Sequence, residues 1–155
     1  MVSATIKQIR RATADRIRSL GEPWWLANVP YDLFGIRAVP NGIPAQRGHG
    51  AFAVGTPTTP EFGWRQTPRD GTLNRTTLAI RFLARHTPTA SLDSVDAATD
   101  MEQSLIARLL TMDASWPVSF NLELNSASRS TPAPGDWHLH EIQFTAIHVY
   151  PLAPA

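Results

Sequence analysis

Four periodic segments follow one another through the second half of the chain: 76–85, 91–111, 116–124 and 137–150. The first alternates strictly, with Leu78, Ile80, Phe82 and Ala84 on one face and Thr77, Arg81 and Arg85 on the other, the two-residue period of a half-buried strand. Ser91 is placed to cap the helix that follows, and Asp93 and Asp96 fall in its first turns, where the positive end of the helix dipole favours carboxylates. Leu92, Val95, Ala98, Leu105, Ile106, Leu109 and Leu110 supply its apolar stripe. Val118, Phe120, Leu122 and Leu124 then alternate as a strand, and residues 126–135 read as a polar loop. In the closing segment Ile142, Phe144 and Ala146 share one face while Ile147 and Val149 occupy the other. Apolar residues on both faces predict a central strand or a face covered by a partner. This strand–helix–strand–strand run is a clear fold signal of mixed helix and sheet, and it carries almost no chemistry.

The first half adds one helix and a region of different texture. Ser3 is a plausible N-cap for a helix to about Leu20, in which Ile6, Ile9, Thr13, Ile17 and Leu20 form one narrow stripe. Lys7, Arg11 and Arg18 lie on the far side, with Asp15 one turn beyond Arg11 as a possible pair. Residues 21–71 hold short apolar pieces at 31–36 and 51–54 among prolines and glycines, and turn-rich stretches bracket 62–66. This predicts short strands joined by long loops, with 40–75 as an extended loop region of a single domain spanning 1–155.

Bulk properties narrow the class. A chain of 155 residues can bury roughly 68–70% of the surface it exposes when unfolded. A net charge of +1 does not suit a nucleic-acid-binding module. The absence of cysteine removes disulfides and thiolate metal sites. No apolar run has the 18 or so residues that a bilayer span needs, so no membrane partner is expected.

Chemistry is sparse. His138-x-His140-Glu141 is the one metal-like pattern, because residues i and i+2 of a strand project to the same face. A third ligand is not evident: His148 has the right parity but lies too far along the strand. There is no nucleophile elbow and no phosphate loop, and Glu61, Asp70, Glu123, Asp136 and Glu141 are scattered, so no catalytic residue, metal ligand or cofactor is assigned. An enzyme is not expected.

Three features point instead to surfaces. Trp24 and Trp25 are adjacent, so in an extended segment they face opposite sides, and large aromatics serve both cores and interfaces. Glu102 falls near the centre of an apolar stripe, where a carboxylate needs a partner; an arginine of this chain or of a neighbour would serve. Asp93, Asp96 and Asp100 form an acidic ridge, opposite in sign to the basic ridge of Lys7, Arg11 and Arg18. Two solvated faces would account for both ridges. A head-to-tail contact between copies would use them.

The order of elements resembles the tail terminator family of long-tailed bacteriophages. The resemblance runs through Leu78-Ala-Ile-Arg-Phe-Leu-Ala-Arg85, the helix of Leu92-Asp93, Met101-Glu102 and Leu109-Leu110, and Trp137-His-Leu-His-Glu-Ile-Gln-Phe-Thr-Ala-Ile-His-Val-Tyr150. It is strongest over 72–150 and rests on pattern and spacing; the Pro-, Thr- and Gly-rich stretch at 40–75 departs from a compact version of the family. It implies a two-layer α+β fold, with two helices on a mostly antiparallel sheet, and a homo-oligomer, a hexameric ring on the finished tail tube, which ends polymerisation and gives the neck or head-completion protein a docking surface. It further implies a virion location at the head-proximal end of the tail, after assembly in the host cytoplasm, with transient, sequence-independent contact to genomic DNA in the lumen. The family carries no catalytic residues to transfer. Another head–tail joining protein of similar build is the nearest alternative, and a small metal- or ligand-binding enzyme using the His138/His140 face the more distant one.

Overall fold

A computed structural model describes residues 4–26, 49–55, 58–67, 71–85, 92–111, 120–130 and 137–150. They form two helices and a six-stranded sheet, an α+β fold, in the order α1 (Ile6–Arg18), β1 (Trp25–Leu26), β2 (Ala51–Val54), β3 (Thr58–Thr67), β4 (Gly71–Arg85), α2 (Leu92–Leu110), β5 (Phe120–Ser130) and β6 (Trp137–Tyr150). The expected cap Ser91, the piece at 31–36 and Val118 lie outside the described residues.

The sheet order is β1-β2-β4-β6-β5, with β3 also paired to β4. Only β1 and β2 run parallel; every other pair is antiparallel. β4 and β6 pair along their whole length, from Thr72 opposite Tyr150 to Arg85 opposite Trp137. β6 is therefore central, which accounts for its two apolar faces. β2 and β3 share the other side of β4, beside Ile80–Phe82 and Gly71–Thr77 respectively. Part of the stretch read as extended loop is thus a long hairpin. Pro60 and two register irregularities in β3 break the alternation that would have marked it.

Helix α1 begins later than expected. Thr5, not Ser3, is its N-cap: the Gln8 amide donates to Thr5 Oγ1 at 3.2 Å, and the Thr5 amide donates to Gln8 Oε1 at 2.8 Å. This capping box satisfies two amides at once. Ile9, Thr13 and Ile17 are buried and Lys7, Arg11 and Arg18 exposed, as the stripe predicts. Asp15 pairs with Arg18, at 3.6 Å.

Helix α2 shows a narrower buried line than the apolar pattern suggested. Ala98, Glu102, Leu105 and Leu109 face the sheet, whereas Val95 and Leu110 are each 41% exposed. At 100° per residue the four buried positions span one narrow stripe. Val95, Ile106 and Leu110 fall together on one flank of it.

The core lies between the helices and one sheet face, built on Phe52, Leu78, Ile80, Phe82, Ile142 and Phe144. Trp24 enters it edge-on to Phe82, with ring centroids 4.9 Å apart. Trp25 points the other way and packs with Ala51, Ala53, Leu83 and Leu139 on the opposite face. Gly50 makes the turn into β2 possible. Its φ of +82° suits glycine, and a Cβ there would stand 2.1 Å from the Pro23 carbonyl oxygen.

Candidate functional site

The sheet has two unlike faces. Under the helices, β6 brings His138, His140 and His148 into line with Ile142, Phe144 and Ala146, because the strand period is two. On the other face Arg81 and Glu141 stand opposite one another across β4 and β6, joined at 3.0 Å, and Arg75 reaches Glu123 at 3.5 Å. These pairs are partly exposed and contribute little to stability. They hold the face polar without adding a net field.

Beneath α2 the charge is buried. Glu102 is 3% exposed and His140 1%. The Glu102 carboxylate accepts from the Arg129 guanidinium through Oε2, while Oε1 lies 3.4 Å from His140 Nδ1. The partner expected for Glu102 therefore comes from its own chain, on β5. Sequence reasoning did not find Arg129, because residues 126–135 read as a loop while β5 in fact continues to Ser130. A register shift between Leu124 and Ser126 obscured the strand.

Burial pushes the His140 imidazole below its ordinary range; Glu102 opposes the shift, and Arg129 and His138 reinforce it. The neutral ring places its proton on Nδ1, facing the carboxylate. Phe82 stacks on the ring at 4.5 Å. Nε2 is buried with no hydrogen-bond partner among the described residues. The His138 and His140 rings lie 6.3 Å apart. Among the described residues no group of three or more His, Asp or Glu side chains is arranged to hold a metal.

Two further polar devices tie elements together. Arg16, only 5% exposed, sends Nε to the Arg108 carbonyl at 3.2 Å and Nη2 to the Thr111 carbonyl at 2.7 Å. It thereby satisfies carbonyls that the C-terminal end of α2 leaves without helical donors. Arg108 Nε in turn donates to Ser19 Oγ at 3.0 Å, beside the end of α1. At the far end of the sheet the Ala4 amide donates to the Val149 carbonyl, and His148 Nδ1 lies 3.1 Å from the Ala4 carbonyl. That contact fixes the proton on Nδ1, so Thr76 Oγ1 donates to Nε2 at 2.7 Å. Of these groups Glu102, His140, Arg16 and His148 are buried, while the Arg129 side chain is 51% exposed. They fix the helices and the start of α1 on the sheet.

The other residues expected at surfaces divide plainly. Lys7, Arg11, Arg18, Asp96 and Asp100 are exposed; the side chain of Asp93 lies outside the described set. Trp24 is 9% exposed within the core, and Trp25 is half-buried. No described helix is long and apolar enough to cross a membrane.

These features define a two-layer α+β protein whose buried polar groups serve structure and whose charged helix faces are open. No family model and no curated protein matches the chain. Among solved structures, a chain of the virion of a native gene transfer agent particle shares its fold: the TM-score is 0.56 at 17% identity, over 91% of this chain and 94% of that one. At that identity the likeness is one of fold.

Proposed function

We propose that this chain is a structural protein of a phage-like particle, a tail terminator that forms a ring on the finished tail tube. The observation that carries the reading is the fold match over nearly the full length of both chains to a component of a gene transfer agent virion. The tail-terminator pattern of 72–150 supports it independently. In this reading the protein ends tube polymerisation, presents its free side to the neck of the head, and sits at the head-proximal end of the tail. Copies join head to tail, with the basic ridge of Lys7, Arg11 and Arg18 facing the acidic ridge of Asp96 and Asp100, and of Asp93 beside them. The protein has no catalytic step of its own; its work is recognition of a tube end and of a neck.

Electron microscopy of the purified protein, alone and mixed with tail tubes, tests this. Ring-shaped particles and decoration of one tube end, with tube growth halted, are the expected result. Decoration of the portal side alone would assign a different head–tail joining role, and a monomer that binds neither would overturn the reading.

A further inference from the structure

Among the described residues three large apolar side chains stand out in water. Val95 and Leu110 on α2 are each 41% exposed, and Leu124 on β5 is 43% exposed. Helical spacing puts Met101 and Arg108 on the flank of α2 that faces α1, and Val95, Ile106 and Leu110 on the opposite flank. Since α1 packs over β1 and β2, and α2 over β4 and β5, that opposite flank overhangs β5. On β5, Leu122 and Leu124 face the same side, paired with Ala146 and Phe144. The apolar side chains thus line the side of the molecule where α2 overlies the last strand of the sheet, with the half-exposed Arg129 among them.

On that side lies an open strand. Nine of the eleven residues of β5 are exposed, and among the described residues it pairs on one side only, with β6. An edge of this length offers a row of backbone donors and acceptors to another strand. Apolar exposure alone would not say what covers it. Charge does. Asp96 and Asp100 are exposed on α2 just beyond the apolar flank, so two copies both meeting by this side would set acid against acid. The complementary surface is on the same chain: α1 presents Lys7, Arg11 and Arg18 over the opposite edge of the sheet.

We infer that the edge of β5 and the outer flank of α2 receive the α1-side edge of a second copy of this chain, in a head-to-tail contact. The inference rests on the reading that copies self-assemble, and it deepens that reading by naming the helix flank and the strand edge on which the contact is built. The contact is heterologous and propagates until a ring closes.

Two measurements test it. First, Leu110→Glu and Leu124→Arg change half-exposed side chains, so each chain should keep its folded circular-dichroism spectrum while the assembled species falls to the 17.1 kDa single chain in sedimentation. Second, the cysteine-free sequence gives a clean background for disulfide trapping. The Arg11→Cys/Gln103→Cys double variant should yield a ladder of covalent multimers on oxidation, whereas each single variant should yield none. Variants that assemble as the unchanged chain does, without a ladder, would overturn this contact and leave the ring intact. Covalent dimers from Gln103→Cys alone would replace it with a symmetric pairing. An unchanged chain that stays monomeric at every concentration would overturn the inference as well, and tube-end decoration would then decide the functional reading separately.

Discussion

Arg129 reaches Glu102 because β5 carries one extra residue between Leu124 and Ser126. Leu122 and Leu124 face the helices, and strict alternation would send Arg129 to the other side. The unpaired Asn125 reverses the parity, so Ala127 and Arg129 return to the helix side, opposite Ile142 and His140. Asn125 itself turns away, and its Nδ2 donates to Thr145 Oγ1 at 2.6 Å. A buried carboxylate is costly once its cation is removed, while an apolar pair of similar volume is often neutral. Arg129→Met should therefore cost about 2–4 kcal/mol in urea denaturation, with most of that recovered in Glu102→Met/Arg129→Met. If the double variant is no more stable than the single, the Glu102 charge is not what Arg129 compensates.

Deleting Asn125 should have the same root effect by a different route. Restored alternation would carry Arg129 to the polar face and leave Glu102 with His140 alone. The deletion should cost at least as much as Arg129→Met. Adding Arg129→Met to the deletion should then cost well under about 1 kcal/mol more, because coupled sites are not additive. Full additivity would mean that the bulge does not aim the guanidinium.

Arg16 should matter as much as a core residue. Its guanidinium is buried and bonded to two carbonyls at the end of α2, where the helix dipole also favours a cation. Hydrogen bonds to charged groups contribute about 1.5–3 kcal/mol each, and Lys cannot reproduce the planar fork. Arg16→Lys should recover only part of the roughly 2–4 kcal/mol lost in Arg16→Met. The urea midpoint, at unchanged m-value, is the measurement. Full rescue by Lys would show that charge alone is at work.

Stability should fall with acid below the ordinary imidazole range. Burial lowers the pKa of both His140 and His148, more than the Glu102 contact raises the first or the Ala4 carbonyl the second. The unfolded imidazoles take up protons near 6.5, and the folded ones only at lower pH. The unfolded state therefore binds more protons in that window. The stabilisation is complete above about 6.5 and is lost as pH drops through the folded values. His148→Gln should flatten the stability–pH slope just below about pH 6.5, by up to 1.4 kcal/mol per pH unit for one group. An unchanged slope would assign the acid sensitivity elsewhere.

The regular half of the fold was legible because its periods are clean. The alternation through Leu78, Ile80, Phe82 and Ala84 marked one strand and the two apolar faces of 137–150 another, and the structure pairs them at the centre of the sheet. Glu102 was visible as a carboxylate in an apolar stripe, but Arg129 was not, since a bulge and a run of Ser and Ala on an exposed edge erase the two-residue signal. Arg16 stayed hidden for a related reason. Its carbonyl partners lie 92 and 95 residues away, and nothing in a helical pattern separates a capping arginine from a solvated one. Val95 and Leu110 misled in the opposite sense. Apolar residues mark where burial is favourable, and on this flank the chain described leaves them open.

Gly50 offers the sharpest contrast between two kinds of glycine. Gly21 and Gly50 both have φ near +80°, a conformation that costs an L-residue roughly 1 kcal/mol. They differ in space. A Cβ at Gly21 would meet nothing within 4 Å, whereas at Gly50 it would stand 2.1 Å from the Pro23 oxygen and 2.5 Å from its carbonyl carbon. The colliding atoms are backbone, so the segment itself must shift. That shift would strain the Trp25 amide bond to the Gly50 carbonyl, the Gly50 amide bond to the Leu83 carbonyl, and the docking of Trp24 on Phe82. Gly21→Ala should lower stability by about 1 kcal/mol and leave tryptophan fluorescence unchanged. Gly50→Ala should lower it by more than about 2 kcal/mol and alter that fluorescence. Equal losses at the two sites would mean that β1 does not owe its place beside β2 to the close approach at Gly50.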